Sequence, residues 1–251
     1  AVALGGALVS LALTVCLLLR FEVGGGLQFI EKTSWIPELG VDYFVGLDGI
    51  NALVLLLAAL MAPLVVLASW KHTDRPRTYF ALLCLQFTGL FGTFTALNFF
   101  HWFLYWEMAL LPAFFLIKLF GDGEDRHRAA LNFFLFTVVG SIAMLLGFLF
   151  LYQQADTFDF IALAKSGIDV HPLIFCAVLA GLWVKVPLAP LHIWQAPAYT
   201  AAPTARGCPG RRRAAGCRIS GRSSAPARFG RVQTSTVTSA AELRPRRSSR
   251  P

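Results

Sequence analysis

Two charged side chains stand deep inside long apolar runs of this chain, and their types suit proton transfer. Glu107 lies near the middle of Asn98 to Phe120 (NFFHWFLYWEMALLPAFFLIKLF), a stretch long enough to cross a bilayer. An acid at the centre of a membrane helix costs about 2.5 to 3.5 kcal/mol, so such groups line a proton or ion path or meet a buried partner. The candidate partner is Lys185, just ahead of Pro187 and Pro190. If one helix enters near Asn98 and a second enters from the same side near Pro172, Glu107 lies roughly 14 Å and Lys185 roughly 20 Å along their axes. Depth permits pairing if the two helices pack together. Burial disfavours an ammonium and a nearby carboxylate favours it, so displacing the carboxylate can switch a buried lysine between holding and releasing a proton. The competing structural readings are a neutral Glu107 bonded to a backbone carbonyl and a Lys185 that snorkels from a helix end.

The prolines bear on the same site. Each lacks an N–H and frees a carbonyl one turn earlier, near Trp183 and Val186, which predicts an interruption of the helix beside the lysine. Broken helices at membrane depth line cavities or ion sites. His192, after the break, is a candidate proton relay, with a structural hydrogen bond as the alternative. His101, beside Trp102, is expected at the membrane interface, at the mouth of its helix. His72, His127 and His171 fall in predicted loops and read as solvated side chains. Asp48-Gly49 reads as a helix N-cap and turn.

The elements that carry these residues follow from composition. The chain is 56% hydrophobic and 14% charged, with a mean hydropathy of +0.62, and its apolar residues come in blocks rather than at amphipathic spacing. These features predict an integral membrane protein. Six runs are long enough to span: Ala1 to Leu19, Ile50 to Trp70, Tyr79 to Leu97, Asn98 to Phe120, Ala129 to Tyr152 and Pro172 to about Ala202. No strand-like alternation accompanies them. The expected fold is an all-α bundle of about six transmembrane helices, one discontinuous, with a disordered C-terminal tail. The first run has no basic residue before it and no initiator Met, and reads as a mature helix of an incomplete chain. Cys16, Cys84 and Cys176 stand alone in separate runs and Cys208 and Cys217 lie in the tail. No spacing among them suggests a metal site or an iron–sulfur cluster, and the first three read as small buried hydrophobes.

Composition changes abruptly after Ala205. Residues Arg206 to Pro251 hold twelve of the 22 basic residues, all Arg, against one acid, Glu242, so the preceding segment is mildly acidic and the basic balance comes from the tail. Such a mixture of Arg, Ala, Gly, Pro and Ser is what a GC-rich gene yields when translated out of frame. The expectation is therefore a partial transmembrane domain over 1–205 and an Arg-rich, out-of-frame extension over 206–251. Without Lys, aromatic interleaving or periodicity, the extension does not read as a nucleic-acid binder.

Loop charge sets an orientation. Arg20 to Asp48 carries two basic residues against five acids, whereas the next connection holds Lys71, Arg75 and Arg77, the loop after Phe120 holds Arg126 and Arg128 beside Lys118, and Gln153 to His171 holds only Lys165. Basic residues favour every second loop, which places Ala1 and the end of the sixth helix in the cytoplasm.

Several motifs occur in a specific order: Trp35-Ile36-Pro37, Gly46-Leu47-Asp48-Gly49-Ile50, Trp106-Glu107, Gly140-Ser141, Val184-Lys185-Val186-Pro187, Pro190-Leu191-His192 and Ala202-Pro203-Thr204. In this set the chain resembles the antiporter-like subunits of proton-pumping NADH:quinone oxidoreductase, respiratory complex I, and most closely its M chain (chain 4) type. The resemblance covers Ala1 to about Ala205, less than half of the family's length. It implies a proton-translocating membrane-arm subunit in which Glu107 and Lys185 form a coupled pair in a half-channel and His192 lies on a central hydrophilic axis. It implies no cofactor in this chain: NADH, flavin, iron–sulfur clusters and quinone belong to partner subunits. The implied partners are the other membrane-arm subunits and the lipid bilayer, and the implied location is a bacterial inner membrane. Where the family commonly reads Trp-Leu-Pro-Asp-Ala-His, this chain reads Trp194-Gln195-Ala196-Pro197-Ala198-Tyr199, which removes an acid and a histidine. Two alternatives stand beside this expectation. One is a subunit of a multisubunit cation/proton antiporter or membrane-bound hydrogenase; the other is a membrane fragment without function.

Overall fold

The computed structural model describes residues 1–71 and 74–203. His72 and the Arg-rich segment after Ala205 lie outside the described residues, so the expectations for them are not carried further.

Among the described residues five helices are long and apolar enough to cross a membrane: α1 (Val2–Leu19), α2 (Gly49–Ala68), α3 (Pro76–Thr95), α4 (Phe99–Phe120) and α5 (Arg126–Ala155). In hydrocarbon the backbone must satisfy its own polar groups, so uninterrupted apolar runs become helices. A short helix α6 (Phe160–Ser166) follows, and the sixth expected crossing arrives in two pieces, α7 (Pro172–Lys185) and α8 (Gln195–Ala201). This is the expected all-α membrane bundle with one discontinuous helix. Large apolar side chains such as Leu53, Val139 and Phe175 are more than 60% exposed along the spanning helices, as lipid-facing surfaces require. At 30 residues, α5 is about 45 Å long and outreaches a hydrocarbon core of about 30 Å.

Helix starts follow local chemistry. Asp48 caps α2 by accepting from the Asn51 N–H at 2.7 Å. Pro76 opens α3 at a position where its missing N–H costs nothing. Asn98 caps α4, accepting from the N–H groups of Phe100 and His101.

The segment read from sequence as a plain external loop contains a β-hairpin, β1 (Gln28–Ile36) paired antiparallel with β2 (Val41–Leu47). A 3-10 turn over Pro37–Leu39 and Gly40, at φ +61°, close it. The register sets Thr33 opposite Tyr43 and Ser34 opposite Asp42. The hairpin is anchored to the bundle through the extended α3–α4 link. Leu97 N–H donates to the Phe44 carbonyl at 2.8 Å, Phe160 N–H donates to the Leu97 carbonyl, and Phe99 N–H donates to the Phe158 carbonyl. The link thus works as a short strand between β2 and the entry to α6. Connections 20–48, 96–98 and 156–171 therefore share one face of the bundle, the alternation that loop charge suggested.

Among the described residues three buried clusters hold the helices, one of them around Tyr79, Leu83 and Leu116. Beneath the hairpin, Val41, Phe99 and Phe158 pack with Phe103, Phe148 and Tyr152, and Phe99 stacks on Phe148 with ring centroids 3.5 Å apart. Toward the opposite face, Leu110, Phe114, Phe133 and Trp194 form a second cluster with Ala198 and Ala201 of α8.

Candidate functional site

Helix α4 carries Glu107, and its position is set by close packing. Gly89 of α3 faces the backbone and Cβ of Ala109, and a methyl at Gly92 would overlap the Tyr105 ring. Only hydrogen at these two positions lets α3 approach α4 this closely. Glu107 is half-buried, and its Oε1 is a buried atom without a hydrogen-bond partner.

Lys185 is the last residue of α7. The helix ends there for the predicted reason. Pro187 cannot donate to the Trp183 carbonyl, and the Leu188 N–H takes that acceptor instead at 3.2 Å. The Val184 carbonyl, left over by the end of the helix, accepts from the Trp194 indole Nε1–H at 3.1 Å. One side chain from beyond the break therefore closes it. On its other flank α7 is held tightly to α5: a Cβ at Gly140 would lie 2.8 Å from Val184 Cβ, and one at Gly181 would lie 2.6 Å from the Gly140 carbonyl oxygen.

The expected pairing of Glu107 with Lys185 is not a direct ion pair. Both α4 and α7 pack on α5, and the Lys185 Nζ sits 4.7 Å from the ring centroid of Trp106, the residue before Glu107. Lys32, by contrast, forms direct ion pairs with Asp42 and Asp159. The ammonium rests on an aromatic face one residue from the carboxylate, which the depth argument had no means to foresee. An ammonium over a desolvated indole is stabilised by up to about 2 kcal/mol. Glu107 Oε1 has no hydrogen-bond partner, and Lys185, at the end of its helix, lies over a ring.

A cavity of about 860 Å3 lies beside Glu107, lined also by His101, Tyr105, Thr33, Ser34 and Tyr43. It runs from the hairpin down the α4–α5 surface as far as Leu111 and Val138. Three buried side-chain atoms among the described residues lack hydrogen-bond partners: Gln86 Oε1, His101 Nδ1 and Glu107 Oε1. The last two belong to residues that line this cavity.

His101, expected at the membrane interface at the mouth of its helix, stands in the first turn of α4 and is covered by protein. It is 3% exposed, between the rings of Tyr43 and Tyr105 with centroids 4.7 and 4.8 Å away. The hairpin folds over the mouth of α4 and covers it, and nothing in the local pattern around His101 announces that cover. Lys32 secures the hairpin by reaching Asp42 and Asp159, each at 3.1 Å. The Asp159 hydrogen bond, followed by that of Asp42, holds the Lys32 ammonium above the ordinary lysine range despite partial burial. Burial raises the Tyr43 phenol, with added repulsion from Tyr105 and Glu31.

The other expected residues are placed less centrally. His192 is exposed in the turn between α7 and α8, and no hydrogen bond ties it to Glu107 or Lys185. His127 is exposed at the start of α5. His171 is exposed but caps α7, its Nδ1 accepting from Leu173 N–H. Cys16, Cys84 and Cys176 are exposed rather than buried, because each occupies an outward face of its helix. Among the described residues no group of histidine, cysteine and acidic side chains forms a metal site.

A membrane bundle with an acid in a spanning helix beside a cavity, and a lysine at a helix break, has the make-up of an antiporter-like transmembrane subunit. The chain belongs to the family described as NADH:quinone oxidoreductase/Mrp antiporter, transmembrane, whose pattern matches residues 96–208. Within it the similarity runs to M-type subunits. The chain is 37% identical over 213 residues to F(420)H(2) dehydrogenase subunit M of Methanosarcina mazei, covering 80% of this chain and 43% of that protein. It is 32% identical over 223 residues to NADH-quinone oxidoreductase subunit M of Escherichia coli K12, covering 79% and 44%. Among solved structures, respiratory complex I from Thermus thermophilus with bound NADH aligns at a TM-score of 0.72 and 30% identity, over 80% of this chain and 42% of the matched chain. The chain thus spans less than half the length of the relatives it matches.

Proposed function

We propose that this chain is the Glu107–Lys185 portion of a proton-translocating membrane-arm subunit of NADH:quinone oxidoreductase. The observation that carries the reading is Glu107 itself: a carboxylate amid a spanning helix, on the wall of a cavity and with a buried oxygen that has no hydrogen-bond partner, one residue from the ring that holds the Lys185 ammonium. An ion pair closed in hydrocarbon would serve structure alone. An acid and a base held close but apart respond to each other's charge and remain free to exchange protons with a third group.

In this mechanism the Lys185 side chain swings between the Trp106 face and the Glu107 carboxylate. When Glu107 is ionised it draws the ammonium off the ring, and when it is protonated the ring holds it. Movement of the ammonium changes the field at Glu107, so an electrical signal arriving from elsewhere in the membrane becomes a proton step at the carboxyl. The break after Lys185 supplies the freedom for that swing, and His192 in the turn stands as a relay on the far side of the lysine. NADH, flavin, iron–sulfur and quinone chemistry reside in partner subunits, and this chain has no redox or catalytic site of its own. The bundle sits in a bacterial inner membrane among other membrane-arm subunits and lipid, with the hairpin on the outer face and without nucleic acid as a partner. The alternative, a subunit of a multisubunit cation/proton antiporter, rests on the breadth of the same family description. Neighbouring genes for quinone-site and iron–sulfur subunits favour the first reading, and antiporter genes without redox chains favour the second.

The test is Glu107→Gln in the full-length subunit within its assembled complex. It keeps volume and removes the charge, so proton uptake should fall on the order of tenfold or more while assembly is retained. Undiminished uptake refutes the assignment.

A further inference from the structure

We infer that His101 is the proton relay between Glu107 and the hairpin side of the membrane, acting through the cavity the two residues share. The inference rests on the role proposed for Glu107 and adds a route and a residue to it. Two residues on the wall of one cavity, Glu107 and His101, each carry a buried side-chain atom without a partner, Oε1 and Nδ1, and the two are complementary. Leaving either unmatched in a dry interior costs about 1 to 3 kcal/mol, and the hydroxyls of Thr33, Ser34, Tyr43 and Tyr105, set in a mostly apolar wall, are the groups that can hold bridging water. At about 860 Å3, this one is large enough for several molecules.

The ring's surroundings determine how it takes part. Nδ1 has no hydrogen-bond partner, so in the tautomer protonated at Nε2 its lone pair is free to accept. The groups facing the cavity from each element are few. The hairpin gives Thr33, Ser34 and the Tyr43 phenol, α4 gives Tyr105 and Glu107, and α5 gives only the apolar Phe134 and Val138. Glu107 is therefore the one acid on the cavity wall and His101 the one base.

A proton leaving the Glu107 carboxyl crosses water between the Tyr105 and Tyr43 hydroxyls and adds to the Nδ1 lone pair of His101. The imidazolium gives the Nδ1 proton to cavity water on the Thr33 and Ser34 side, and the Glu107 carboxylate is reprotonated from the Lys185 side. No group changes oxidation state, and each residue returns to its starting charge. The hairpin forms one wall of this route, a role for an element that otherwise only covers the mouth of α4.

The test uses proton uptake by sealed membrane vesicles bearing the assembled complex, with Glu107→Gln measured in parallel. His101→Phe retains a ring between Tyr43 and Tyr105 and cannot carry a proton. Uptake is expected to fall on the order of tenfold, as it does in Glu107→Gln. Uptake within about twofold of the unsubstituted complex in His101→Phe, where Glu107→Gln has lost it, overturns the relay and leaves the role of Glu107 intact. Retention in both variants overturns the role of Glu107 itself, and the relay with it. Should His101→Phe fail to assemble, Ser34→Cys carries the test, because a bulky thiol reagent can block the cavity after assembly. Labelling should lower uptake several-fold in Ser34→Cys and leave the unsubstituted complex unaffected. Full uptake after complete labelling again overturns the relay.

Discussion

Lys185 holds its ammonium 4.7 Å from the ring centroid of Trp106, so the lysine expected to pair with Glu107 rests on the neighbour of the acid instead of on the acid. The indole thereby becomes a third member of the site. Its π face competes with the carboxylate for one cation, and the balance between them decides where the charge resides.

Substituting the indole tests that balance. Trp106→Leu removes the aromatic face, and the ammonium should settle on Glu107 as a closed pair. With a cation–π contact worth about 0.5 to 2 kcal/mol, the balance moves by roughly 2- to 30-fold, and proton uptake in the assembled complex should drop while assembly persists. Trp106→Phe, which keeps a weaker face, should fall between. Equal uptake in all three would show the ring to be packing alone.

Lys185→Met should leave the bundle assembled and reduce proton uptake to the level of Glu107→Gln. Combining the two should add little further loss, because residues acting as a unit are not additive. A complex that pumps at the normal rate with Lys185→Met would assign the lysine to structure.

The contact between α5 and α7 makes a stability prediction that is independent of function. A methyl at Gly181 would stand 2.5 Å from Met144 Cβ and 2.6 Å from the Gly140 carbonyl oxygen. Gly181→Ala should therefore destabilise the bundle by about 1 to 3 kcal/mol, read from denaturant titration in detergent. Gly5→Ala in α1, where nothing lies within 4 Å, should be neutral or slightly stabilising.

The Lys32 clamp predicts a pH dependence outside the membrane. The folded-state value is raised, so the contribution is fully present below the ordinary lysine value of 10.5 and is lost as pH rises through the folded value. Hydrogen exchange over residues 28–47 should show the same clamp contribution from pH 6 to pH 9 and increased opening in the alkaline range above 10.5. Lys32→Met should remove that alkaline step. The side chain is 45% exposed, so the effect is local and modest.

The spanning helices and the break were legible because lipid leaves the backbone few choices. Apolar runs must be helical, and two prolines after Lys185 must interrupt them. The acid and base were legible because a charge in such a run stands out by its cost. What the chain did not announce was rotation about the helix axes. Residue counting gives the depth of Lys185 but not the azimuth that aims it at Trp106, and it does not reveal that α5 lies against both α4 and α7. The hairpin was hidden for another reason. Glu31, Lys32, Thr33 and Ser34 run as consecutive polar residues through β1, which is exposed along most of its length, so no alternation marks it. The burial of His101 followed from the hairpin and was lost with it.

The glycine seam between α5 and α7 has a bearing on timing. Two helices interlocked at Gly140 and Gly181, with Val184 and Met144 filling the spaces opposite, cannot slide past one another without opening a gap that lipid tails would fill poorly. Rearrangement near Lys185 is thus confined to its own side chain and to the turn after Val186. Such motions belong to the nanosecond-to-microsecond range of rotamers and loops, faster than the microsecond-to-millisecond shifts of whole helices. A site built this way can follow an electrical signal turn by turn while its scaffold stays still.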